Sequence, residues 1–196
     1  MKRSYLVAGL VIAAALSTAT LAANAQAAGG AQGKPTFASV YDRILSGLEK
    51  EVVGAAEAMP EDKFNFAPTG PGEFKGVRTY AMQVKHIAVA NYMFGAAILQ
   101  EKTPIEINNE TGPANITSRA DIIKFLKDSF AYAHKAVAAI NENNVLEQIK
   151  GPFGDRPTTR LALATQMLSH PFDHYGQMVE YLRMNGIIPP ASRGRG

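Results

Sequence analysis

Apolar residues recur along this chain at helical spacing in four separate stretches. Phe37, Val40, Tyr41, Ile44, Leu48, Val52, Ala55 and Met59 fall three or four apart. That spacing places them on one face of a helix over residues 36–59, which Pro60 ends. Met82, His86, Val89, Ala90, Met93 and Ala97 predict a second helix over residues 79–100. A third begins near Ser118, where Ser118-Arg119-Ala120-Asp121 has the form of an N-terminal cap, and continues through Ile122, Phe125, Leu126, Ala133, Val137 and Ile140. A fourth starts near Thr158 and carries Leu161, Ala164, Leu168, Phe172, Tyr175, Val179 and Leu182. Asn185-Gly186 stops it, with Pro189-Pro190 beyond. Pro171 falls inside this last stretch. A mid-helix proline removes one hydrogen bond and clashes with the preceding turn, at about 3 kcal/mol, so a kink or a break just before it is expected.

The stretches are separated by Gly- and Pro-rich connections. The one over residues 60–78 is long and holds Phe64, Phe66 and Phe74, which suggests that it packs back onto the helices. Residues 103–113 and 151–157 make the other two, and no strand pattern competes. The reading is an all-α, up-down four-helix bundle over residues 36–192, with residues 193–196 a short tail.

The first 27 residues read differently. Lys2 and Arg3 precede an apolar run from Tyr5 to Leu16, and Ala23-Asn24-Ala25 and Ala25-Gln26-Ala27 both have the A-x-A form of a cleavage site. This is the pattern of a cleavable signal peptide, followed by a linker over residues 28–35. The apolar run is shorter than the ~20 residues of a membrane span, so no span is expected after cleavage. An exported protein, periplasmic or secreted, is implied. Without residues 1–27 the chain keeps 18 basic against 17 acidic residues. So near-neutral a domain has no electrostatic footprint for nucleic acid. There is no cysteine, which removes disulfides, thiol nucleophiles and thiolate ligands together.

The chemistry rests on histidine. His170 and His174 are four apart, on one helix face one turn from each other, the spacing that lets two nitrogens reach one ion. Spacing alone fits equally one exposed and one packed histidine. His86 lies on the apolar stripe of the second helix, where a lone histidine reads first as a core residue. If the second and fourth helices face each other, three imidazoles converge and leave a coordination position open. Asp173 and Gln177 lie three residues from His170 and His174, placing them to hydrogen-bond a ligand ring. Tyr92 and Tyr175 are candidates either to reach a substrate or to pack, and His134 reads as structural. Pro171 stands where an H-E-x-x-H motif would have its glutamate, no P-loop, G-x-S-x-G or G-x-G-x-x-G occurs, and no carboxylate stands out as a general base.

The segment HPFDHYGQMVEYLRMNGIIPPAS, residues 170–192, resembles the last helix of the DinB/YfiT-like superfamily. Shared features are two histidines four apart, then Gly-Gln, a Tyr-Leu-Arg segment, a helix stop and Pro-Pro. The stretch from Tyr80 to Phe94, with Val84-Lys85-His86-Ile87-Ala88, resembles that family's other histidine helix, and the Pro-rich loop ending at Arg78 also fits. Pro171 is the departure. The resemblance implies a four-helix bundle with a three-histidine metal site at His86, His170 and His174, holding one divalent metal, zinc or nickel. Relatives include metal-dependent thiol transferases and hydrolase-like proteins. Small thiols are mainly cytoplasmic, so export weighs against thiol transfer. The expectation is a metal-dependent hydrolase or transferase on an unidentified small molecule, with a non-catalytic metal or small-ligand binding protein as the alternative. Bundles of this kind often pair, so a homodimer is also anticipated.

Overall fold

The computed structural model describes residues 34–70, 75–154 and 156–194. The signal-peptide reading of residues 1–27, most of the linker and Phe74 lie outside the described residues. Four helices form where the apolar stripes place them: α1 (Phe37–Ala58), α2 (Tyr80–Leu99), α3 (Arg119–Ala138) and α4 (Arg160–Met184). Each starts in the same way. The side chains of Thr36, Thr79, Ser118 and Thr159 accept from the backbone N–H three residues on, at Ser39, Met82, Asp121 and Ala162. Such a cap is worth about 1 kcal/mol. Among the described residues no helix is long and apolar enough to cross a membrane.

The helices do not simply alternate up and down, and that expectation is corrected. α1 packs against α3 and α4, and so does α2, which leaves α1 and α2 diagonally opposed. Along α2 and α3 the contacts climb together: Asn91 bonds Ser129, Tyr92 meets Tyr132, and Gly95 lies against Tyr132 and Ala136. These two helices therefore run parallel. α4 runs against α2, pairing Gln83 with Gln177, His86 with His170 and the Ile98 carbonyl with Arg160. α3 runs against α1, pairing Asp42 with His134 and the Met59 carbonyl with Arg119. α4 runs along α1, pairing Tyr41 with Thr165 and Lys63 with the Asn185 carbonyl. The order of directions is up, down, down, up.

The cause is the connection between α2 and α3. A helix the length of α2 spans ~30 Å, and residues 100–118 are long enough, at ~3.3 Å each when extended, to return along all of it. They form a strap. Lys85 Nζ donates to the carbonyls of Pro113 (3.0 Å) and Ile116 (2.9 Å). Gly112 has φ +69°, and a Cβ there would stand 2.8 Å from Val89 Cγ2, so only glycine lets the strap lie this close to α2. With α3 and α4 at its sides and the strap outside, α2 is buried on most of its surface, Gln83 and Asn91 included.

Three local outcomes complete the fold. The loop after α1 does pack back: Phe64 is in the core, and Phe66 stacks edge-on against Tyr181 at 5.8 Å. A small antiparallel pair, β1 (Gln148–Lys150) and β2 (Pro157–Thr159), lies where no strand is expected, because three residues a side are too few to show an alternation. α4 is not broken before Pro171 but continues through it, with the proline buried.

His134 of α3 lies between two acids of α1, with Nδ1 2.6 Å from Asp42 Oδ1 and Nε2 3.1 Å from Glu49 Oε2. Carboxylate oxygens only accept, so both ring nitrogens donate and the ring is an imidazolium. Burial works against that charge, but hydrogen bonds and attraction from the two acids outweigh it, and the pKa is raised. The unfolded value is ~6.5, so this contact stabilises fully below that pH and its contribution is lost as pH rises through the raised native value. In urea denaturation, His134→Gln is expected to lose stability at pH 6 and to approach the parent protein by pH 9. A deficit of equal size at both values would contradict the ion pair.

Candidate metal centre

α2 and α4 run antiparallel side by side, which brings residues 83–86 level with residues 170–177. The three histidines meet there. His170 Nε2 is 3.1 Å from His86 Nε2 and 3.2 Å from His174 Nε2. Four ligands around zinc at ~2.05 Å would hold nitrogen pairs ~3.3 Å apart, so the triangle is already close to the size that one small divalent ion needs. His174 is buried, while His86 and His170 are partly open on one side.

Hydrogen bonds on the far side of the rings fix which nitrogen carries the hydrogen. His86 Nδ1 lies 2.9 Å from the backbone oxygen of Glu110 in the strap. A carbonyl only accepts, so Nδ1 donates and Nε2 presents a lone pair. For His174 the same result comes through a chain of amides. Asp173 accepts from Gln177 Nε2 at 3.1 Å, which turns the Gln177 oxygen toward Gln83. Gln83 Nε2 donates to that oxygen at 2.7 Å, which turns the Gln83 oxygen toward His174 Nδ1 at 2.8 Å. His174 Nδ1 therefore donates, and its Nε2 also presents a lone pair. His170 has one hydrogen at most to give while neutral. Its Nε2 can satisfy one neighbour and not both, and its Nδ1 is buried with no partner. A buried polar atom left so costs about 1–3 kcal/mol. A cation between the three Nε2 atoms removes the conflict, and the residues present fit one.

Burial, followed by the two neighbouring rings, pushes His174 down to about 4, and burial with the His86 ring does the same for His170. Both are neutral, as ligands must be, well below pH 7. Arg78 grips the Glu110 carboxylate with Nη2 2.5 Å from Oε2 and Nε 3.2 Å from Oε1. Those bonds hold its pKa below the usual carboxylate range against the opposing effect of burial. The same residue thus presents its backbone to His86 and its side chain to Arg78, pinning the strap over the site.

Beside the triangle opens a cleft of about 640 Å³ between α2, α4, the strap and the β1–β2 turn. Of the residues singled out in the sequence, His86, His170 and Asp173 line it, and His174 stands behind them. Gln177 is a link in the amide chain, 3.5 Å from His174 Nδ1. Tyr92 does not reach the cleft, being packed between Phe125 and Tyr132. Tyr175 is not among the lining residues either. Gln83 and Glu110 were not foreseen. Gln83 lies three residues before His86 and so one turn away on the same face, a signal the sequence did contain. The contribution of Glu110 to His86 is a backbone oxygen, which has no sequence signature.

The DinB superfamily pattern matches residues 44–178. The chain belongs to the DinB superfamily. Two solved DinB-like proteins share the fold of this DinB chain. One, from Bacillus cereus ATCC 10987, is 15% identical, with a TM-score of 0.62 over 79% of this chain and 96% of that one. The other, YjoA of Bacillus subtilis, is 20% identical, with a TM-score of 0.55 over 74% of this chain and 92% of that one. No curated protein matches the chain.

Unfolded histidines titrate near 6.5, so between that value and about 4 the unfolded chain takes up protons that native His170 and His174 refuse. These rings lower stability as pH falls through that window, the opposite sign to His134. In the metal-free protein, ring ¹⁵N shifts of His170 and His174 should stay at neutral values from pH 8 to about 5. Gln83→Leu should move His174 away from the Nδ1–H tautomer. Protonation of both rings near 6.5, or an unmoved tautomer, would contradict the geometry.

Proposed function

We propose that this is an exported metal protein in which His86, His170 and His174 hold one divalent ion, zinc or nickel, facing a small molecule in the adjoining cleft. The observation that supports it is the conflict at the triangle: hydrogen bonds behind His86 and His174 aim two lone pairs at a third ring that can answer only one. The donors are all imidazole nitrogens, a set that suits zinc and nickel and not the oxygen-seeking magnesium or calcium. Export rests on the signal-peptide pattern of residues 1–27.

Bound there, such an ion supplies a Lewis acid to a donor atom arriving from the cleft. The chain's own residues do the rest. Glu110 and the Gln83–Gln177–Asp173 series hold the rings in the ligating tautomer. Burial of His170 and His174 keeps them unprotonated. The strap, fixed by Arg78 and Lys85, closes one side of the cleft against water. The reaction class this supports is metal-dependent hydrolysis or group transfer. A second reading, capture of a ligand without turnover, is favoured by one feature. Both carboxylates lining the cleft are engaged, Glu110 by Arg78 and Asp173 by Gln177, so neither stands free as a base.

Elemental analysis of the protein, prepared without a histidine tag and reconstituted with zinc or nickel, should give about one ion per chain. Each of His86→Ala, His170→Ala and His174→Ala should lose most of it. Metal retained at full stoichiometry in all three variants would sink the assignment.

A further inference from the structure

The cleft beside the histidines has two unlike walls. From His86 onward, α2 presents Val89, Ala90, Met93 and Phe94, a continuous apolar stripe one turn after another. Ile107 of the strap extends that wall, and Asn109 and Glu110 beside it add polar groups. Phe153, at the β1–β2 turn, caps it, standing edge-on to Phe94 at 6.1 Å with 62% of its surface exposed. Opposite, α4 presents Gln166, Ser169 and Asp173, again one turn after another beside His170. Among the described residues no lysine or arginine lines the cleft, and its only charged lining groups are the carboxylates of Glu110 and Asp173. Arg78, the cation whose charge acts on His170 and His174, is committed to Glu110 by two hydrogen bonds.

These features together select a kind of ligand. A phosphate or carboxylate on the body of a ligand, away from the ion, would lose water, meet apolar walls and acidic neighbours, and find no free side-chain cation to pair with. An apolar body loses nothing and gains by leaving water. The volume falls within the range that encloses a molecule of drug size. We propose that the cleft takes a small molecule with one metal-seeking head and a largely apolar, uncharged body: the head lies at the histidines, the body along Val89, Met93, Phe94 and Phe153, and polar edges face Gln166 and Ser169. This rests on the reading of the histidines as a metal centre and adds the substrate class to it. It argues against substrates that carry a phosphate or carboxylate on the body, beyond the metal-seeking head.

Hydroxamates of one head and different tails test it on the zinc-loaded full chain by calorimetry. Acetohydroxamate reads the metal alone. 5-Phenylpentanohydroxamate should bind at least tenfold tighter than acetohydroxamate. The tail ending in carboxylate, 4-carboxybutanohydroxamate, should bind at least tenfold weaker than the phenyl one. Phe153→Ser, at an exposed position outside the core, should cut the phenyl-to-methyl ratio at least threefold. Met93→Lys should raise the carboxylate tail relative to the phenyl tail. A carboxylate tail binding as well as the phenyl tail, or a ratio unmoved in both variants, would overturn the proposal. If the chain takes up no zinc or acetohydroxamate fails to bind, the metal reading fails separately. The cleft is then read on the metal-free chain, where 4-phenylbutan-1-ol binding more tightly than 4-phenylbutyrate supports the class and equal or reversed affinities overturn it.

Discussion

A neutral imidazole has two nitrogens and one hydrogen, and here that hydrogen is committed away from the place where the rings meet. The carbonyl of Glu110 takes it from His86, and the amide oxygen of Gln83 takes it from His174. What remains at the centre is two lone pairs, each about 3 Å from His170 Nε2, and burial disfavours protonation of His170 and His174. Much of the rest of the architecture serves that arrangement. With α4 running against α2, the two histidines one turn apart face the third. Gln83 must sit one turn before His86 to reach across to His174. The strap must pass close enough to α2 to offer a backbone oxygen.

The strap links the topology to the chemistry. A tight turn after α2 would have sent α3 back antiparallel and left His86 Nδ1 facing solvent. Instead residues 100–118 return along α2, α3 starts again at the same end, and the two helices run parallel with Gly95 allowing the close approach of Tyr132. The cost of this path is a long connection, whose closure entropy grows only slowly with length. Hydrogen bonds from Lys85 and Arg78, and the glycine at position 112, hold it in place. The strap also walls the cleft, so the three histidine rings and the cleft share one boundary element.

The sequence made some of this legible and not the rest, for physical reasons. Helix positions followed from apolar stripes and from capping residues such as Ser118, because both are local. The i, i+4 pair His170 and His174 was visible for the same reason, and the likeness of residues 80–94 and 170–192 to DinB helices joined His86 to them. The up-down expectation failed because helix direction is set by a connection with no periodicity to read. The strands flanking Phe153 are too short to show alternation. Asp173 and Gln177 were singled out by spacing, yet the side chain touching His174 most closely is Gln83 from another helix, reached only once the two helices are placed side by side.

The central claim is that three imidazoles, and nothing else from the chain, surround one ion. X-ray absorption at the zinc edge of the reconstituted full-length protein reads this directly. The account predicts a first shell of nitrogen and oxygen at ~2.0–2.1 Å with multiple-scattering features of three imidazoles. A shell with one imidazole or none, or one dominated by carboxylate oxygen, would contradict it.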